Sequence, residues 1–442
     1  MTDDHEENAL SPLRGRFSSS LRFGGAEQLA VRLFDMAVLL VLLRSLSMSE
    51  IALFGVVTGM FVLFQLFGLV PETIILRCFP DWERTGRSRR ALEALQWFAL
   101  GRLLLLAGGA SLAAMLLGTS GRALGYAAAY ALAIQLNQLA ELGRLVFRVK
   151  LKQRTIVIVD TVLRTLLLAS MGVLLVSPHL ATYLAIYASW AAASAAVWSG
   201  LLMRETGARF RPKGEHLGFL ADSLKTFSVW QHLGGVATFT LYSIDPWIMS
   251  LLGVGQTTVG RYTVALKICG FFFLLPMFVQ SMTTVLLVNV PDRGVWPRLL
   301  SRVLGTNALL ALGQWLAFFV VGRPLVWLFG GGEAVDEIFQ YALVINTGVL
   351  VLNLTRPIIG YLTAGADMRE VFLKTYLPVC LAALVLYPAM ISLWGAWGAA
   401  LASLASYSLL AVALAALVRS HGLRLPAPRP DFRFLNELVR SW

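Results

Sequence analysis

The chain has 442 residues, 57% of them hydrophobic and only 14% charged, with a mean hydropathy of +0.70. Soluble domains carry roughly 25% charged residues, so this composition excludes an ordinary soluble domain and predicts a polytopic membrane protein. The net charge of +12 and the pI near 10.0 would suit nucleic acid, but the basic residues lie in short clusters between apolar runs, which is how orientation signals are spaced; no nucleic-acid partner is expected.

Residues 1–22 run from acidic (Asp3, Asp4, Glu6, Glu7) to basic (Arg14, Arg16, Arg22) without a short apolar core and small-residue cleavage site, so no cleaved signal peptide is expected and the first helix directs insertion. That helix, 23–43, carries Glu27, Arg32 and Asp35. Ionisable groups at membrane depth are costly and normally face a polar interior. At about 1.5 Å per residue Arg32 lies roughly 12 Å inside the helix start, and Arg32 and Asp35, three apart, share one face. Arg32 is therefore a candidate for binding substrate phosphate and Asp35 for coupling or gating; the alternative is a structural pair between them. Glu27 lies nearer the inner surface.

Apolar periodicity and length predict eleven further spans, at 51–70, 94–117, 123–145, 156–176, 181–203, 227–251, 258–288, 299–321, 336–363, 371–393 and 395–418. The turn into the second, Arg44 to Gly55, is followed by Gly55-x-x-x-Gly59, a spacing that permits close helix approach. Glu141 with Arg144 and Asp160 with Arg164, three and four residues apart, read as pairs along one helix. Arg102 reads as snorkelling to the surface. In the seventh span Asp245 precedes Pro246, which restricts it away from helix and predicts a kink or helix end. Asp245 is a coupling or gating candidate, or else a helix-end contact. Lys267 lies roughly 13 Å into the eighth span and is a candidate substrate-binding cation, or else snorkels or pairs with Asp245. The eighth and tenth runs are long enough to tilt or break. Arg356-Pro357 lies near the inner end of the tenth, where Asn346 and Asn353 could line a polar path. Trp82, Trp97, Trp230, Trp247 and Trp327 read as interface anchors.

Lysine and arginine set the orientation. With residues 1–22 inside, 27 of them fall in inner segments, against four on outer turns, namely Arg44, Arg122, Arg261 and Arg323. Both termini are thus expected in the cytoplasm. The chain divides into a cytoplasmic segment 1–22, a six-helix bundle 23–203, a basic cytoplasmic linker 204–226, a second six-helix bundle 227–418 and a cytoplasmic tail 419–442 with Pro426, Pro428 and Pro430. Cys78, Cys269 and Cys380 form no CxxC, the five histidines show no ligand spacing, and no GxxxxGK[ST] occurs; no metal, disulfide framework, P-loop motor or cofactor is expected.

The halves share a feature. R-S-L-S-M-S-E-I-A-L-F-G at 44–55 and D-P-W-I-M-S-L-L-G-V-G-Q-T-T-V-G-R-Y at 245–262 each join the first span of a half to its second on the outer side, which suggests two related bundles. The first resembles the "R-x-L-[GS]-x-x-[ED]-[FY]-G" turn, and the second, continued to Ala265, the "D-x-x-[IL]-[IL]-…-G-…-V-G-x-Y-x-x-A" stretch, of the oligosaccharide flippases (Wzx-like) in the multidrug/oligosaccharidyl-lipid/polysaccharide exporter superfamily. Pro246 stands where that family often has Arg, and Ile51-Ala52-Leu53 extends the first motif.

The resemblance implies an all-α, MATE-like pair of six-helix bundles around a central cavity. It implies a non-enzymatic flippase of the bacterial inner membrane that moves a polyprenyl-pyrophosphate-linked oligosaccharide outward by alternating access, for O-antigen, exopolysaccharide or capsule assembly, with a polymerase and glycosyltransferases as expected partners. The physical requirement is independent of family. A pyrophosphate crossing a low-dielectric region needs Arg and Lys to replace its lost hydration. A cation-coupled multidrug antiporter of the same fold is the alternative; it would want unpaired carboxylates. A membrane polymerase or glycosyltransferase would want a sizeable outer loop, and the longest outer connection runs only from Gly322 to Val335.

Overall fold

Every regular element among the described residues is a helix. The structure is a computed structural model. It describes residues 30–420 except 32, 68–74, 76–78, 80–81, 118–121, 151, 208–217, 219–220, 222–227, 274–275, 278, 281–282, 285–286, 288–293, 295 and 333, and the backbone alone at 108–117. Arg32, Glu27, most of the linker 204–226 and the tail from 421 lie outside the described residues.

In the first half α1 covers 30–45, α2 Met48–Phe67, α3 Ser88–Leu117, α4 Arg122–Val149, α5 Gln153–Ser170 with a 3-10 turn Met171–Leu175, and α6 Leu180–Thr206. In the second, α7 is Val229–Ser243, α8 Asp245–Leu251, α9 Gln256–Gly270 with a 3-10 turn Phe271–Phe273, α10 Trp296–Gly330, α11 Val335–Leu354, α12 Arg356–Gly365 and α13 Met368–Val371. A π turn Phe372–Tyr376 then leads into α14, Leu377–Ser420.

Six helical segments are long and apolar enough to cross a membrane: Met48–Leu66, Gln153–Leu175, Leu180–Thr206, Trp296–Gly330, Val335–Leu354 and Met368–Ser420. Large apolar side chains stand open on their outer faces, Val320 at 78% exposure, as lipid-facing residues do. The protein is a multi-pass membrane protein. The other predicted spans fall on α1, α3, α4, α7–α8 and α9, which do not meet that measure of length and hydropathy.

The last segment, of 53 residues, would be about 80 Å long if straight, far beyond a hydrocarbon core of roughly 30 Å. It folds back at Gly395, whose φ of 56° and ψ of −131° only glycine adopts readily. A Cβ on Gly398 would stand 1.9 Å from the Met390 carbonyl oxygen, whereas residues eight apart in a straight helix are about 12 Å apart. The hairpin brings Tyr387 Oη within 3.0 Å of Ser403 Oγ. The predicted boundary between the last two spans, at residue 394, lies beside this glycine.

Glycines also let helices touch. Gly143 on α4 lies against Trp198 on α6, and Gly348 on α11 against Leu404 on α14; a Cβ would stand 2.9 Å from a backbone atom at each. Glu50, in the first turn of α2, fastens three helix starts. Its Oε2 accepts the Leu180 N–H at 2.8 Å at the start of α6, and its Oε1 lies 3.5 Å from Arg122 Nη2 at the start of α4. A carboxylate at a helix N-terminus satisfies an orphan donor and the helix dipole together. The acidic position of the first motif is thus a clamp on one end of the bundle.

Candidate functional site

The two halves meet where α2 lies against α7, α8 and α9. A Cβ on Gly55 would stand 2.2 Å from Thr263 Oγ1, one on Gly59 2.8 Å from the Ser243 carbonyl oxygen, and one on Gly260 2.4 Å from the Met48 carbonyl oxygen. The Gly55-x-x-x-Gly59 spacing is therefore used, and its partner is the interruption between α7 and α8. At one end of the junction Arg44 Nε donates to the Leu328 carbonyl at 2.7 Å and Nη2 to that of Trp327 at 3.0 Å. At the other end His232 Nε2 lies 3.0 Å from the Gln65 carbonyl oxygen. The arginine that opens the first motif thus ties α1 to the C-terminal end of α10.

Lys267 spans this junction. From α9 its Nζ donates to Thr58 Oγ1 on α2 at 3.1 Å and stands 4.9 Å from the centroid of the Phe54 ring. Among the described residues it forms no ion pair. The expected alternative, a pair with Asp245, is not made.

Asp245 opens α8, one residue after Ile244 interrupts the helix, with Pro246 in the first turn where a missing N–H costs nothing. It is 0% exposed. Its Oδ2 accepts the Tyr262 hydroxyl at 2.5 Å and that of Ser403 at 3.4 Å, and Ser403 in turn meets Tyr387. Its Oδ1 has no partner, and among the described residues no cation pairs with it. A buried carboxylate is costly without a cation, so this one is held by hydroxyls from α9 and from the second arm of the α14 hairpin, with Tyr387 on the first arm bonded to Ser403 behind it. Tyr262, Ser403 and Tyr387 carry no signal in the apolar pattern. Their convergence comes from the fold-back at Gly395.

Arg356, read from sequence as lying near a membrane surface, is 4% exposed. It begins α12 after Thr355, whose φ of −95° and ψ of −1° break the run from α11. Nη1 donates to Gln280 Oε1 at 3.1 Å and Nη2 to Tyr242 Oη at 2.8 Å, and the guanidinium carbon lies 5.3 Å from the centroid of the Phe273 ring. Its Nε has no partner and, among the described residues, no carboxylate pairs with it. Nearby, Asn307 Nδ2 donates to the Asn353 carbonyl and Asn353 Nδ2 to that of Phe272, so these amides serve helix ends.

The first half arranges its charges differently. The expected pair of Asp160 with Arg164 is not formed. Asp160, 4% exposed, accepts from Arg144 Nε and from Trp198 Nε1, each at 3.0 Å. Arg164 instead donates to Asp35 on α1 and to the Val31 carbonyl. A pair along one helix is worth a few tenths of a kcal/mol, whereas a buried carboxylate needs several donors, and only neighbouring helices supply them. Arg144 also reaches Asn137 and Glu141 at 3.3 Å and Ser194 at 3.1 Å, so its expected pairing with Glu141 is one contact of four. A small cleft between α1 and α5 is lined by Val31, Phe34, Asp160 and Arg164 among others. Asp35 thus sits in a salt link of the first half, while Lys267 and Asp245 lie at and behind the junction.

Among the described residues no group of three His, Cys, Asp or Glu side chains converges as a metal site would. The sequence matches no protein-family model and no curated protein. Solved structures do match. The lipid II flippase MurJ in an inward closed conformation aligns with a TM-score of 0.63 at 14% identity over 95% of this chain and 89% of its own. An inward-facing multidrug resistance MATE family transporter of the MOP superfamily gives 0.59 at 14% over 90% and 96%. A MOP superfamily transporter from Pyrococcus furiosus, described by the reverse polarity of its binding pocket, gives 0.58 at 16% over 92% and 94%. The chain therefore has the fold of the MOP superfamily transporters.

Proposed function

We propose that the protein is a flippase that carries a polyprenyl-pyrophosphate-linked oligosaccharide across the bacterial inner membrane for surface polysaccharide assembly. It does so by alternating access between two six-helix bundles, with twelve crossings and both termini cytoplasmic. The observation that carries this reading is the pair of cations in the second half, Lys267 and Arg356, held by neutral groups and, among the described residues, forming no ion pair with a carboxylate. A cation kept in a membrane protein without a counter-charge is a standing site for an anion. Guanidinium and ammonium donors can replace the water that a pyrophosphate gives up. The fold is shared with a lipid II flippase, and pocket polarity is the feature by which one transporter of this fold is described.

In this account Arg32 and Lys267 contact the headgroup, and Asp245 and Asp35 couple or gate the movement. A polysaccharide polymerase and glycosyltransferases are the expected partners. No bond is made or broken, so no nucleophile or general base is required. Asp245, fully buried and, among the described residues, without an ion pair, favours a second reading in which a carboxylate exchanges a cation for a drug. The test is translocation of a labelled lipid-linked oligosaccharide in liposomes. Arg32→Ala and Lys267→Ala are expected to lose transport while insertion and abundance stay normal; wild-type rates in both would remove these residues from the site.

A further inference from the structure

We infer that Arg356 forms a phosphate-binding pocket inside the second bundle, distinct from the Lys267 position at the junction. Three breaks in helix regularity lie beside it. Thr355 separates α11 from α12, Phe273 belongs to a 3-10 turn, and Tyr242 lies two residues before the interruption at Ile244. Irregular backbone within a membrane protein is tolerated where it lines a polar cavity, and discontinuous helices in transporters mark substrate and ion sites.

The side chains agree. Arg356 is more than nine-tenths buried, its Nε is unpartnered, and its two Nη contacts are to neutral acceptors that an anion would outcompete. Hydrogen bonds to charged acceptors are roughly twice as strong as those to neutral ones. Tyr242 and Gln280 are themselves partly exposed, so an incoming phosphate oxygen meets them first and displaces them from the guanidinium. The Phe273 ring covers one side of it at 5.3 Å. Identification of the ligand as the diphosphate of the cargo rests on the proposed function; the anion site itself does not.

The test uses the purified full chain with inorganic pyrophosphate as probe. Wild type is expected to bind it saturably, with a rise in thermal midpoint. Arg356→Gln should weaken binding by about tenfold or more, while Arg323→Ala, which removes an exposed pair with Asp336, retains it. No saturable binding by wild type, or unchanged binding by Arg356→Gln, would overturn the site. Should Arg356→Gln not fold, the double variant Tyr242→Phe/Gln280→Leu decides. It releases both Nη groups and is expected to bind pyrophosphate severalfold more tightly; unchanged affinity would mean that the arginine only joins helices. Transport of a lipid-linked oligosaccharide separates this from the wider reading. Wild-type rates in Arg356→Gln would overturn the pocket's part in transport and leave the flippase standing. Pyrophosphate binding at Arg356 without any transport by wild type would uphold the pocket and remove the flippase.

Discussion

Replacing Arg144 by Met should unfold the first half more readily than any other single change there. Arg144 is 6% exposed and joins Asp160, Asn137, Glu141 and Ser194, which lie on α4, α5 and α6. Methionine keeps most of the stem and removes every donor. Asp160 would then keep only the Trp198 N–H, at 3.0 Å, for a charge that is 4% exposed. Breaking a buried pair by removing one partner costs about 3–5 kcal/mol; the surviving indole donor places the loss near the lower end, at about 3 kcal/mol. The double variant Arg144→Met/Asp160→Asn removes the stranded charge and keeps an acceptor for Trp198, so it should recover more than half of that loss, a coupling typical of residues in one network. Thermal unfolding of detergent-solubilised protein, with the two single variants completing the cycle, measures it. Additive losses, or a cost below about 1 kcal/mol for Arg144→Met, the value of an exposed pair, would show that these charges are not the sealed salt link described.

Three further changes probe the frame. Gly260→Ala should push α9 off α2, because its Cβ would meet the Met48 carbonyl at 2.4 Å and a backbone atom cannot swing aside; cysteine cross-linking between the two helices should fall. Gly395→Ala should destabilise by about 1–3 kcal/mol, the cost of a strained backbone conformation, and a melting point unchanged from wild type would contradict the hairpin. Asp245→Asn keeps an acceptor for Tyr262 and should therefore preserve the melting point while abolishing transport; normal transport would make Asp245 a structural residue.

Much of the helical frame was legible because membrane helices announce themselves by apolar length, and breaks by Pro and Gly. The boundary at 394 fell beside Gly395, and the Asp245-Pro246 step marked the α7–α8 interruption. Charge partners were not legible. Sequence spacing offered Asp160 with Arg164, but three-dimensional packing gave Asp160 to Arg144 and Arg164 to Asp35, since only neighbouring helices could supply enough donors. The burial of Arg356 was not legible either, because it depends on neighbours that meet at the break at Thr355, which no nearby motif announces beyond Pro357. Ser403 and Tyr387 were hidden for a similar reason: a hydroxyl in an apolar run acquires meaning only when the chain folds back on itself, whereas Tyr262 closes the same motif that Asp245 opens.

The direct test of the account is the sign of the cargo. Liposomes containing the wild-type protein can be offered a polyprenyl-pyrophosphate-linked oligosaccharide or a lipophilic organic cation, each fluorescently labelled. Movement of the pyrophosphate-linked lipid, with the cation left behind, is the predicted result. Movement of the cation alone would mean that Asp245, and not the unmatched Lys267 and Arg356, defines what the protein carries.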